Sequence, residues 1–350
     1  MENIKKILAV IFAILFIATA VFALVLFTFD RRAFKAETYQ RVLANEDFYN
    51  RIPAVLAESI ISSPANFQEL PPVMQGMNTK AWEEFFRTLL PQEALKLIGD
   101  DTLNQTFAYL NMQSNTVAIS LLPIKANMAT ESGVQAVFTL FRTQPDCTLL
   151  QVAQMTFNLL SAQDNIAFCN PPEELTPLLT PVIQAELQAA ALVIPDEVTI
   201  LTSENAQNDP RQRIQTARTW MKLSPLLPIG FLFLLTLTVI NSLQSWLSWW
   251  GIPFLSTGAI AMLISLTGAP VIGAILKRIV AQRISVTLPA ALSDYTSELA
   301  SAMVGTILRP IFWEGLILFL VGLGMVLTAI YIKRRTTSKI RNASEEKTLI

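Results

Sequence analysis

Four blocks along the chain are almost wholly apolar: Ile7–Phe29, Leu226–Leu243, Ile252–Leu276 and Ile311–Ile332. Each approaches the roughly 20 residues that a helix needs to cross the hydrocarbon core of a bilayer. Only one charged residue, Glu314, falls inside them. The pattern predicts a mainly α membrane protein with transmembrane helices at 7–29, 224–243, 252–276 and 311–332. The remainder divides into an N-terminus at 1–6, a large domain at 30–223, a short hairpin at 244–251, a second segment at 277–310, expected to be helical, and a tail at 333–350.

The large domain reads as mostly helical with a small β element. Apolar residues recur at helical spacing from Tyr39 to Ile60, where Pro53 is expected to interrupt, and again at Trp82, Phe85, Phe86, Leu89 and Leu90, where Pro91 should stop the helix. Asp101 is a candidate cap for a helix running through Phe107 and Leu110, and Val134, Val137, Phe138 and Phe141 trace another. Two further helices are expected around Leu149–Leu160 and Leu175–Leu192. Val117, Ile119 and Leu121 alternate with small residues, as a strand does, and Val198–Leu201 is a β-branched run that would pair with it. Asn205–Asp209 is a polar break before the second span.

Charge orients the spans. Lys5 and Lys6 precede the first span, and Lys333, Arg334, Arg335, Lys339, Arg341 and Lys347 follow the last, an excess expected on the cytoplasmic side. Both termini are therefore expected in the cytoplasm of a multi-pass cell-membrane protein, with residues 30–223 and 277–310 outside. The first block is longer than the 7–15 apolar residues of a secretory signal and reads as an uncleaved anchor. Trp246, Trp249 and Trp250 fit headgroup-level anchors in the hairpin.

Within the spans, Thr257, Ala261, Ser265, Ala269 and Gly273 recur every four residues, the pattern of a helix-packing face, with Gly315, Gly322 and Gly324 as candidate partners. Glu314 reads as an intramembrane acid in the first turn of the fourth span, where it would reach the headgroups and complement the helix dipole; a proton- or ion-coupling role is the sharper alternative.

The net charge of −1 hides a division. Residues 30–223 hold 14 Lys/Arg against 21 Asp/Glu, and between Asp100 and Asp209 only Lys125 and Arg142 are basic. Such a domain repels nucleic acid. Its basic residues gather beside the spans, at Arg31, Arg32 and Lys35 and at Arg218 and Lys222, and contact with anionic headgroups is the expectation they raise, against plain solvated faces with local ion pairs.

Histidine is absent, which removes every Ser-His-Asp triad, Cys-His pair and His-containing metal site. Cys147 and Cys169, the two cysteines, both fall in the large domain beside turn-forming residues. An oxidising compartment would let them bridge, enclosing the Leu149–Leu160 helix; two buried thiols are the alternative. No catalytic, cofactor-binding or metal residue is identified, and no cofactor is expected.

The function read from these features is binding or sensing, by the outer domain, of a ligand, envelope component or protein partner. The order of spans and outer segments resembles the layout of FtsX-like and MacB-type permeases. That resemblance implies mechanical coupling to a partner ATPase, since the chain has no G-x-x-x-x-G-K-[ST] of its own. Alternatives are a solute transporter acting as a homo-oligomer and an envelope enzyme using Asp100-Asp101, Glu173-Glu174 or Asp196-Glu197. The expected surroundings are the lipid bilayer and a protein partner or second copy.

Overall fold

The computed structural model describes residues 2–62, 70, 72–160, 168–203, 209–239, 242–283 and 290–348. The helices are α1 (Glu2–Ala33), α2 (Ala36–Asn45), α3 (Phe48–Ser62), α4 (Pro72–Gln75), α5 (Thr79–Leu89), α6 (Gln92–Leu110), α7 (Leu122–Met128), α8 (Glu131–Phe141), α9 (Leu149–Leu160), α10 (Thr176–Val193), α11 (Pro210–Leu223), α12 (Leu226–Val239), α13 (Leu243–Arg283) and α14 (Ala290–Thr348). Strands β1 (Thr116–Ser120) and β2 (Glu197–Thr202) form an antiparallel pair, and a 3-10 turn, Glu173–Leu175, leads into α10. The protein is mostly helical, and four stretches are long and apolar enough to cross a membrane: Ile4–Ala33, Pro210–Thr238, Leu243–Ile275 and Glu298–Thr336. The chain divides into two compact units, one of residues 1–38, 210–275 and 300–350, the other of 39–209 and 276–299.

In the first unit α1 touches every other apolar helix. It packs along α12, sets Phe16 against Phe254 of α13 with tilted rings whose centroids are 5.5 Å apart, and sets Leu24 and Val25 against a cluster of Ala261, Leu308 and Ile311. Helices α13 and α14 approach one another through a ladder of small residues. A Cβ on Gly258 would lie 2.5 Å from the Gly315 carbonyl oxygen, and one on Gly322 would lie 2.8 Å from that of Gly251. Ser265 donates to the Leu308 carbonyl at 2.9 Å, and Gly273 faces Ser301. On α13 the ladder steps from 251 to 258 to 265; on α14 it steps back from 322 to 315 to 308. Seven residues are two turns, so each step returns to the same face, and the absent side chains let the two backbones meet.

Several expectations change here. Gln244–Gly251 is not a hairpin loop but the opening turns of α13: Ser242 Oγ accepts from the Ser245 amide, and Trp246 meets Trp250 one turn later with tilted rings. Residues 240–241 lie outside those described. Ala261 and Ser265 do face α14, as the four-residue stripe implied, yet the closest approaches are at Gly251 and Gly258. Gly324 meets nothing within 4 Å. The expected segment 277–310 is helical where described, and its part from 277 to 299 belongs to the same unit as 39–209.

The second unit is built around Ala57, Met77, Trp82, Val134, Phe138, Leu140, Phe141, Val152, Met155, Leu179 and Ile183. Helix α3 packs on α5, α5 on α8, and α8 on α10. Pro53 does not interrupt: it lies inside α3, and the break falls at Asp47, whose φ of 53° is one that Asp tolerates. Asn78 caps α5 by accepting from the Ala81 amide, and α5 ends at Leu89. Pro91 is already the N-cap of α6. Asp101 is therefore no cap; it lies in the middle of α6 and accepts from Gln105 Nε2 one turn on. Of the polar break at 205–209, only Asp209 is among the described residues.

At one end of this unit α14 contributes Tyr295, whose ring stacks on Phe48 at 6.0 Å, while the Arg51 guanidinium sits 5.1 Å from the Tyr295 centroid and 3.6 Å from Glu298.

Candidate functional site

Cys147 and Cys169 form a disulfide. The two chain segments that it joins run side by side: the Cys147 amide donates to Asn170 O at 2.8 Å, the Asn170 amide donates to Pro145 O at 2.9 Å, and Asn170 Nδ2 donates to Asp146 Oδ1 at 2.8 Å. Four links over a few residues make a stiff rim. Pro171 and Pro172 extend it with fixed φ.

Beside this rim lies a cleft of about 770 Å3, within the range of small-ligand sites. Gln135, Phe138 and Arg142 reach it from α8 and its C-cap, at positions i, i+3 and i+7 of one helix face. The rim supplies Asp146, Asn170, Pro171 and Pro172, and Glu173, Thr176 and Pro177 close the far side. Phe138 is buried and belongs to the core, so the cleft floor is anchored in the packed interior. Charge is distributed unusually. Of the two bases between Asp100 and Asp209, Lys125 is bound by Asp196 and the Ile194 carbonyl, whereas Arg142 is exposed at the cleft and makes no ion pair among the described residues.

The other residues singled out from sequence separate into three places. Asp100 accepts from the Tyr49 hydroxyl and Asp196 binds Lys125, so the paired acids do not converge; Glu173 alone of them lines the cleft. Arg31, Arg32 and Lys222 are exposed, with Arg31 over the Phe27 ring, and Lys35 is also open to solvent. Arg218 is different: its guanidinium donates to Asp30 Oδ1 at 2.9 Å and lies 4.5 Å from the Phe34 ring centroid, and Asp30 is 5% exposed. Its charge is engaged in an internal pair. Glu314 lies far inside α14 and not in a first turn, so the helix-dipole argument does not apply. Its carboxylate accepts from Thr28 Oγ1 of α1 at 2.8 Å, and Thr28 is 2% exposed. Two polar ties of the first unit thus start within one turn of α1, at Thr28 and Asp30, and sequence periodicity revealed neither.

Among the described residues, no group of three or more Cys, Asp or Glu side chains is placed to hold a metal ion. No protein-family model, curated protein or solved structure matches the chain.

Proposed function

We propose that this is a multi-pass membrane protein whose inter-span domain lies outside the cytoplasm and binds a ligand in the cleft beside the disulfide. The single observation that carries the reading is that cleft: a stiff, disulfide-closed rim around a hollow lined by both polar and apolar side chains, the core aromatic Phe138 among them. A domain that only anchored or spaced the spans would have no need to hold such a hollow open. The bridged cysteines favour an oxidising compartment for the domain. The membership of 276–299 in the same unit favours one side of the membrane for both long inter-span segments, as an even number of spans requires.

Native mass spectrometry of the full-length protein taken gently from its own membranes tests this reading. A bound mass on the wild type, missing from Arg142→Glu at unchanged folding, is the expected result. Identical spectra for the two proteins would overturn it.

A further inference from the structure

The cleft brings opposite charges together without letting them cancel. Arg142, Asp146 and Glu173 all line it, yet none of the three makes an ion pair within 4.0 Å among the described residues. Asp146 is held by the neutral amide of Asn170. Opposite charges that share a cleft and stay apart leave room for a ligand that bridges them. A ligand with only a carboxylate would meet one guanidinium and two acids, in a domain already short of bases. A polyanion would be repelled more strongly still. A cation alone would leave the guanidinium unused. A zwitterion satisfies both signs.

The remaining lining narrows the class. Gln135, Asn170 and Thr176 offer donors and acceptors suited to amide groups, and Pro171, Pro172 and Pro177 give apolar walls of fixed shape. The guanidinium is the side chain whose planar fork matches a carboxylate in two parallel hydrogen bonds. Asp146 and Glu173 are acceptors for a primary ammonium, which donates three hydrogen bonds where a quaternary ammonium donates none. Accepting the reading that this cleft is a ligand seat, we infer that it takes a short peptide with free termini, its carboxylate on Arg142 and its ammonium on Glu173 and Asp146.

Calorimetry on the full-length protein in nanodiscs at low salt tests the assignment with three probes: trialanine, N-acetyl-trialanine and trialanine amide. Free trialanine is expected to bind about tenfold or more tighter than either capped form, the scale of one charge-assisted hydrogen bond. In Arg142→Gln the penalty for amidation should vanish while that for acetylation stays; in Glu173→Gln the reverse should hold. Both residues line a solvent-filled cleft and both replacements keep a polar side chain of similar reach, so folding should be unaffected, which a retained melting temperature checks. Equal affinity for the three probes, or binding of none, overturns the inference. The wider reading fails separately: if no probe binds but the mass carried by the native protein still disappears in Arg142→Glu, the cleft holds a ligand of another class. If nothing disappears, both fall.

Discussion

A Cβ built on Gly258 of α13 would stand 2.5 Å from the carbonyl oxygen of Gly315 on α14 and 2.4 Å from the Phe319 amide nitrogen. Both obstacles are backbone, so no rotamer change relieves them. Gly258→Ala should therefore force the two helices apart and cost about 1–3 kcal/mol, the usual scale of overpacking. Gly230 and Gly324 also lie in apolar helices but meet nothing within 4 Å. Alanine there should be neutral or slightly stabilising through helix propensity. Thermal unfolding of the three variants in one detergent checks the contrast.

Asp30 and Arg218 form a pair buried beside Phe34. Removing one partner leaves the other charge buried and unmatched, so Asp30→Ala or Arg218→Ala should cost roughly 3–5 kcal/mol. The double replacement Asp30→Leu with Arg218→Met should recover much of that stability, because apolar isosteres avoid the desolvation penalty. A double-mutant cycle by denaturant unfolding measures both effects.

Burial first, then the Asp100 charge and the hydrogen bond to it, push the Tyr49 hydroxyl up to about 12. An unfolded tyrosine titrates near 10. Below pH 10 both states hold the proton and the contribution is fully present; between 10 and 12 the unfolded chain releases it and the folded one does not, so stability falls as pH rises. The fall amounts to about 1–2 kcal/mol once screening by nearby water is discounted. Melting temperatures from pH 9 to 12 should drop less steeply in Tyr49→Phe than in the wild type. Burial also raises Tyr39 and Tyr295, so a gentler slope remains in that variant.

Helix α6 ends with the Gln113 amide donating to Ala108 O and the Met112 amide to Tyr109 O, the paired bonds of a Schellman motif. Met112 occupies the left-handed position with φ 60°, where glycine is the usual residue, and its side chain is exposed. Met112→Gly should raise stability by about 1 kcal/mol, since it relieves the left-handed penalty while giving up little packing. A shift of the unfolding midpoint to higher denaturant at constant slope checks it.

How far the sequence carried depends on what kind of order each feature has. The four apolar spans and the β1–β2 pair follow from local composition and alternation, so they were legible, and the cysteines needed only their flanking turns. The ladder between α13 and α14 was half legible. Ala261, Ser265, Gly315 and Gly322 belong to it, but a search at four-residue spacing passes over Gly251 and Gly258, because antiparallel helices repeat their contact every seven. Thr28 with Glu314 and Asp30 with Arg218 join residues 286 and 188 positions apart, and no periodicity encodes such meetings. The α6 start was hidden because Pro91 both follows the end of α5 and caps the next helix, while Asp100-Asp101 inside α6 imitate a cap. For the cleft, one signal was present: Arg142 is one of two bases in a long acidic stretch. Which acids face it depends on the disulfide and on where the rim directs Glu173.

The side of the membrane on which the inter-span domain lies tests the proposed architecture most directly. Leu192 in that domain is 84% exposed, and Thr336 beyond the fourth span is exposed. With the native cysteines bridged, Leu192→Cys should react with a membrane-impermeant maleimide on intact cells, and Thr336→Cys only after permeabilisation. Labelling of Thr336→Cys on intact cells, with Leu192→Cys protected, would contradict it.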